Sequence, residues 1–361
     1  MTTSPSAPDS LCLLRLSAIG DTCHVVPLLR RLQSAWPQTR YTWIIGKVEA
    51  KLMRLIPDVE FITVDKRAGL AALRELSRAL RPRSFDVLLD LQLALRASLI
   101  AMQVRAPLKL GFDRARAREL QWLVTNKKIA ARSREHVLDS FIGFADALGV
   151  PPTPLRWDVP LPSDALSYAD ALAPLGQRTL LISPCSSHPQ RNWAADRYAA
   201  VARYAVERCG LQVVLVGGPT ELERSVGAQI VALAGVPIRN TVGQDTLPQL
   251  LALLGRSTVL LAPDSGPVHM AAMVGTPVIG LYAATNPARS GPYLSRDNCV
   301  DAFARAARQF RRREPQDLPW ATKIETPGVM DLIGIDEVTT KLDAVLRRHN
   351  RGLPPHTAPT G

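Results

Sequence analysis

The feature that most constrains the fold is an alternation. Short apolar runs recur along the chain, and a stretch with helical periodicity separates each from the next. In the first half the runs fall at 11–16, 41–45, 60–64, 85–90 and 108–112. Between them lie segments such as GLAALRELSRAL (69–80) and LALRASLIAMQV (93–104), in which apolar residues return every three or four positions. A strand that is apolar throughout needs cover on both faces, and successive parallel strands need a crossover long enough for a helix. The pattern therefore predicts an α/β protein with parallel sheets.

The rhythm breaks at VPPTPLRWDVPLPSD (150–164), where five prolines exclude helix and central strand and predict an extended linker. It then resumes, with strands at 178–184, 211–218, 258–263 and 276–283 and helices at 196–208, 221–234, 247–255 and 267–273. The expected organisation is two Rossmann-like doubly wound domains, 1–160 and 161–334, then a C-terminal helix at 335–350 and a disordered tail at 351–361. A length of 361 residues agrees with two domains of about 150 each. Open parallel sheets bind ligands beyond the carboxyl ends of their strands. The loops that follow strands are thus where chemistry is expected, and a cleft between two such domains would collect both sets.

Composition narrows the partners. Lys and Arg number 44 against 32 Asp and Glu, a formal charge of +12, which favours an anionic partner. Aromatic residues make up only 5%, and no basic stretch is interleaved with them, so nucleic acid is not expected. Cys12, Cys23, Cys185, Cys209 and Cys299 are scattered and form no CxxC pair. They read as reduced thiols of a cytosolic protein, not as a disulfide framework or zinc site. The opening MTTSPSAPDS lacks the basic and apolar regions of a secretory signal, and no run approaches the length of a membrane span.

Four loops carry candidate chemistry. In LSAIGDTCHVVPLLRRL (16–32) the first strand runs into Asp21, a titratable group at a helix start; it either caps the helix or accepts a proton. In LLAPDSGPVHMAAMVGTPVIGLY (260–282) Asp264, Ser265 and Gly266 form the turn before a helix. Unpaired N–H groups at such a helix end suit a phosphate, although Asp264 and Ser265 can equally serve as caps. In PCSSHPQRNWAADRY (184–198) Ser186, Ser187 and Arg191 can donate to phosphate oxygens, with Asn192 or Asp196 as candidate caps. In VGGPTELE (216–223) Glu221 can accept from ribose hydroxyls or simply favour the helix dipole. An Asp-x-Asp pair is missing, and His24, His136, His188 and His269 lack metal-ligand spacing, so neither metal nor other cofactor is expected.

The chain resembles glycosyltransferase family 9, the ADP-heptose:lipopolysaccharide heptosyltransferases. The likeness runs through SAIGD, DLQ (90–92), GFDRARARE (111–119), SSHPQRNW, GGPTE and PDSGPVHMAAMVGTP with LYAATNP. It implies the GT-B fold, two Rossmann-like domains facing a central cleft, with the acceptor on the first and the nucleotide sugar on the second. By the same resemblance Asp21 is the general base of an inverting transfer. Ser186, Ser187 and Arg191 would contact the diphosphate, Glu221 the ribose, Asp264 the heptose, and Ser265 and Gly266 phosphate through backbone N–H groups. Many relatives carry Lys where this chain has Arg191.

The implied donor is ADP-heptose and the implied acceptor the Kdo-lipid A inner core of lipopolysaccharide, whose negative charge suits the excess of basic residues. Lys66, Arg67, Arg96, Arg114 and Arg118 are the candidate acceptor contacts, with Arg74 and Arg116 in the same set. A cytoplasmic location, peripheral to the inner membrane through Arg311, Arg312 and Arg313, is the matching expectation. Two alternatives stay open: a transferase of the same fold using another nucleotide sugar or glycan, and a non-catalytic nucleotide-binding protein. An NAD-dependent oxidoreductase does not, because SAIGD stands where a G-x-G-x-x-G would follow the first strand.

Overall fold

The structure is a computed structural model and describes residues 6–350; the tail read as disordered at 351–361 lies outside them. The chain divides between Pro160 and Leu161 into two compact units.

In the first unit the strands are β1 (Ser10–Leu14), β2 (Arg40–Gly46), β3 (Val59–Val64), β4 (Val87–Asp90), β5 (Leu108–Gly111) and β6 (Lys127–Lys128). They form one parallel sheet in the order β3-β2-β1-β4-β5-β6. The chain winds outward from β1 to β3 and then returns to lay β4 against the other side of β1. The β1/β4 junction is therefore the switch point, where loops diverge and leave a crevice. All five residues of β1 are buried, as a central strand covered on both faces requires.

The helix Ile19–Ala35 follows β1 and buries an unbroken run from Thr22 to Leu29. It also buries a charge. Arg31, only 4% exposed, pairs with Asp146 at 2.8 Å, and its Nε donates to the Pro151 carbonyl at 2.9 Å. Trp157 Nε1 donates to the Cys23 carbonyl at 3.0 Å. The first part of the proline-rich segment is therefore extended, as expected, but it is fastened along this helix. With no ladder to pair them, the carbonyls of Trp157 and Pro151 accept from Arg30 and Arg31 of the helix, at 3.0 and 2.9 Å.

The second unit repeats the plan. Its strands are β7 (Thr179–Ile182), β8 (Gln212–Leu215), β9 (Arg239–Asn240), β10 (Val259–Pro263), β11 (Val278–Tyr282) and β12 (Val300–Asp301), in the order β12-β11-β10-β7-β8-β9. All neighbours are parallel, and the switch point falls between β7 and β10. The helix Ile335–Asn350 belongs to this unit, since Val338, Leu342, Val345 and Leu346 join its core. The basic stretch 303–314 begins as the helix Phe303–Ala306 and widens into a π-helical turn over Ala307–Arg311. Phe303, Ala306 and Ala307 are buried there, while Arg311, Arg312 and Arg313 are exposed. Among the described residues no helix is long and apolar enough to cross a membrane, and all five cysteines are free.

Candidate active site

Both switch points carry the loops singled out by sequence. After β1 the chain turns through Arg15 to Ala18 and enters the helix that begins at Ile19. Asp21 lies in its first turn, with a side chain 32% exposed. Its Oδ2 accepts from the Ala18 N–H at 3.2 Å and from Arg15 Nη2. Asp21 thus closes the helix start and still presents carboxylate surface to solvent. Arg15 had no role in the sequence reading. Its Nη1 donates to the Leu91 carbonyl at 2.5 Å, and its guanidinium lies 5.4 Å from the Phe141 ring centroid.

The DLQ segment after β4 is the other half of this junction. Gln92 Oε1 accepts from the Leu16 N–H at 2.6 Å, so the loops after β1 and β4 are bonded to each other. Asp90 is fully buried, and burial pushes its carboxyl up to about 7. The Gln92 N–H and the neighbouring Arg15 charge oppose that rise only in part.

In the second unit the loop after β7 runs from Ser183 and the loop after β10 from Asp264, and hydrogen bonds join them. Ser186 Oγ donates to the Asp264 carbonyl at 2.8 Å, and the Ser186 N–H donates to Asn192 Oδ1 at 2.7 Å. Asn192 is therefore a loop tie; the helix Ala195–Glu207 is capped at Ala194 with no side-chain bond, so neither Asn192 nor Asp196 caps it. The hydroxyl of Ser186 is committed, which leaves it as an acceptor toward any ligand. Ser187 is exposed.

Arg191 is mostly buried, and its fork is used. Nε and Nη2 both donate to Glu325 Oε1, at 2.9 and 2.7 Å, while Nη1 stands 3.5 Å from Asp264 Oδ2. The Nη1 edge faces the turn at 264–266 and retains N–H groups for an anion. Burial pushes the Glu325 carboxyl up, but the Arg191 hydrogen bonds and the Arg191 and Lys323 charges outweigh it and hold the group below its usual range. His188 Nε2 lies 3.7 Å from Glu325 Oε2. Glu325 is a site residue that sequence reasoning missed; it comes from an irregular segment fixed by the Ile324 N–H bonding to the Ala284 carbonyl at 2.7 Å.

Ser265 is the N-cap of the helix Gly266–Met273, yet its side chain makes no cap bond, and Asp264 Oδ1 stands 4.0 Å from His269 Nε2 instead. Ser265 Oγ is buried without a hydrogen-bond partner among the described residues. The Ser265 and Gly266 N–H groups likewise donate to no other described residue. This is an anion-ready helix end rather than a self-satisfied one. Beyond β8, Glu223 closes the glycine turn: it accepts from the Gly218 N–H at 2.9 Å and from Thr220 Oγ1 at 2.6 Å. A Cβ on Gly218 would lie 2.7 Å from that carboxylate and would displace it from the Gly218 N–H. Glu223 does the structural task, which leaves Glu221, one turn-start earlier and exposed, with its carboxylate outward.

The basic candidates fall into two groups. Lys66 pairs with the buried Glu49 at 2.7 Å, Arg96 Nη1 donates to the Lys66 carbonyl at 2.8 Å, and Arg67 is exposed nearby in sequence. Arg114 lies 4.3 Å from the Trp122 ring centroid, and Arg118 is exposed in the same loop. Arg116 is a structural clamp instead: it pairs with Asp113 and Glu135 and donates to Ser140 Oγ and the Ala130 carbonyl, both at 3.0 Å.

Two parallel six-stranded sheets of identical winding, with a carboxylate at one switch point and an anion-ready helix end at the other, define an α/β protein of GT-B type. The sequence model of glycosyltransferase family 9 (heptosyltransferase) matches residues 73–318. A lipopolysaccharide core heptosyltransferase of Haemophilus influenzae, OpsX, is 39% identical over 92% of this chain and 95% of its own. Among solved structures, the family 9 glycosyl transferase of Veillonella parvula matches with TM-score 0.77 and 22% identity, over 96% of this chain and all of that one. The Escherichia coli heptosyltransferase WaaC with ADP matches with TM-score 0.73 and 17% identity, over 93% and 99%. These two likenesses concern the fold. The chain belongs to glycosyltransferase family 9, the heptosyltransferases, and is an enzyme of that class.

Proposed function

We propose that the protein transfers heptose from ADP-heptose to the Kdo-lipid A inner core of lipopolysaccharide, with inversion at the anomeric carbon. In this reading the first unit receives the acceptor and the second holds the donor. The observation that carries it is the second unit's switch point, where the Nη1 edge of Arg191 stands beside Asp264 and the next two residues present the unpartnered Ser265 Oγ and the idle Ser265 and Gly266 N–H groups. A diphosphate satisfies all of them. Glu221 accepts from the ribose hydroxyls, Ser187 lines the diphosphate, Ser186 instead ties its loop to the turn at Asp264, and Asp264 meets the sugar.

Asp21 then takes the proton of the acceptor hydroxyl as its oxygen attacks the anomeric carbon. The bond from that carbon to the diphosphate oxygen breaks on the opposite face, and ADP leaves with the electron pair. Arg191 and the helix end at Ser265 stabilise the charge that ADP gains, through donors fixed before the reaction begins. Arg15, tied to Leu91, keeps the Asp21 carboxylate in one orientation. Lys66, Arg67, Arg96, Arg114 and Arg118 draw in the anionic acceptor. The similarity to the Haemophilus enzyme supports lipopolysaccharide core as the acceptor class, and the basic surface supports peripheral contact with the cytoplasmic face of an anionic membrane.

Purified protein offered ADP-heptose, ADP-glucose and GDP-mannose with a Kdo-lipid A acceptor tests the reading. Product from ADP-heptose alone is expected. Faster transfer from another donor would select the same-fold alternative, and ADP binding without any product would select the non-catalytic one.

A further inference from the structure

The exposed apolar residues are unevenly placed. Leu95, Leu99 and Met102 occupy one face of the helix Leu95–Gln103, at four- and three-residue steps, and all three are exposed. Leu120, Trp122 and Leu123 are exposed on the short helical turn packed against it. Met102 and Leu123 are 58% and 61% accessible. A folded chain gains nothing by leaving such a group of side chains in water, and clustered apolar patches mark interaction sites.

The turn is held in this posture. Gln121, between two exposed apolar residues, is completely buried: its Nε2 donates to the Asp90 carbonyl at 2.9 Å, and its Oε1 accepts from the Phe112 N–H at 3.1 Å. Ser98 Oγ donates to the Glu119 carbonyl at 2.6 Å and pins the two helices together. Glu119 and Leu120 both have left-handed backbone, φ 51° and 65°, a conformation that a leucine adopts only when its surroundings impose it. The rivet inside and the strained pair beside it hold Leu120, Trp122 and Leu123 outward.

Charge identifies the occupant. Residues 94–128 contain eight Lys and Arg against Asp113 and Glu119, and Asp113 is buried in its pair with Arg116. Arg96, Arg114 and Arg118 are exposed around the apolar face, and Arg114 stacks on Trp122. An apolar face with a tryptophan and a basic rim fits the boundary between acyl chains and anionic headgroups. The exposed Arg311–Arg313 stretch has the charge but no comparable apolar face beside it.

We propose that the face formed by Leu95, Leu99, Met102, Leu120, Trp122 and Leu123 is the surface through which this protein lies on an anionic phospholipid bilayer. It rests on the membrane contact proposed above and assigns that contact to one surface. The surface adjoins the catalytic rim of its unit: Gln121 is bonded to Asp90, the next residue Leu91 accepts from Arg15, and Arg15 holds Asp21. An acceptor whose acyl chains stay in the bilayer would thereby meet the base without leaving the membrane.

The test is co-sedimentation of the full-length protein with phosphatidylcholine vesicles, with and without phosphatidylglycerol, and with no sugar donor present. Wild type should sediment only with the phosphatidylglycerol vesicles, less so at high salt. Met102→Ser with Leu123→Ser should bind them at least roughly tenfold more weakly, the loss expected when two large apolar side chains no longer leave water. Both positions are exposed, so folding and turnover on a water-soluble acceptor should be unchanged. The proposal is overturned if wild type binds no vesicles or the double variant binds like wild type. It is also overturned if Arg311→Gln with Arg312→Gln and Arg313→Gln abolishes binding instead, or if the double variant alters only the light-scattering mass, which would make the face a contact between copies. Because no donor is used, a protein that fails as a heptosyltransferase can still pass this test, and one that transfers heptose can still fail it.

Discussion

Asp90→Asn should make the first unit less sensitive to rising pH. In the unfolded chain this carboxyl ionises near 3.8, whereas burial raises it to about 7 in the folded protein. Below both values it is protonated in either state and contributes nothing to the pH dependence. As pH rises above about 4 the unfolded state sheds its proton while the folded state keeps it, so stability falls. The loss levels off once the folded carboxyl ionises, near pH 7. A shift of about three units corresponds to about 4 kcal/mol, of which roughly 2.5 kcal/mol accrues between pH 5 and pH 8. Asparagine cannot titrate, so this slope disappears. Its buried amide adds a penalty of about 1–3 kcal/mol that is the same at every pH.

Hydrogen exchange of the β1 and β4 amides at pH 5 and pH 8, corrected for intrinsic rates, reads the stability of this unit alone. Every other group titrates alike in the two proteins, so the wild-type minus variant difference isolates Asp90. Wild type should lose about 2–3 kcal/mol relative to the variant between the two pH values. Parallel behaviour of the two proteins would refute the claim that Asp90 is a buried, reluctant acid.

Other substitutions separate the parts of the site. Arg15→Met should lower kcat by about 10²-fold through misplacement of Asp21 while ADP affinity, measured by calorimetry, stays constant. Arg191→Ala should raise the Kd for ADP by roughly 10- to 100-fold, as expected for loss of charged hydrogen bonds to a diphosphate. Arg31→Met removes the half-exposed ion pair with Asp146, which keeps Arg132 as a partner, and the bond to the Pro151 carbonyl; it should cost about 1–2 kcal/mol, read from urea unfolding, with little effect on ADP binding.

The alternation of apolar runs and helical stretches made both sheets legible, because parallel strands buried on both faces leave an unbroken apolar signature. The edge strands β6, β9 and β12 left none: each is two residues long, and Lys127–Lys128 and Arg239–Asn240 are polar. The loops of the candidate site stood out wherever a glycine or acid follows a strand, as at Asp21, Asp264 and Gly218. Arg15 was not, because at the end of an apolar strand its charge looks incidental until the fold brings Leu91 beside it. Glu325 was invisible for a similar reason: it meets Arg191 across 134 residues, from a segment with no periodicity. Gln121 read as ordinary loop polarity and Arg116 as one of the basic acceptor contacts; only the folded environment reveals the first as a rivet and the second as a clamp paired with Asp113 and Glu135.

The most direct test is a single-turnover assay of Asp21→Asn with ADP-heptose and a Kdo-lipid A acceptor, alongside calorimetric ADP binding. The variant keeps the size of the side chain but cannot take the acceptor's proton. The account predicts transfer slowed by ~10²–10⁴-fold with the Kd for ADP within about twofold of wild type. Transfer at the wild-type rate would contradict it.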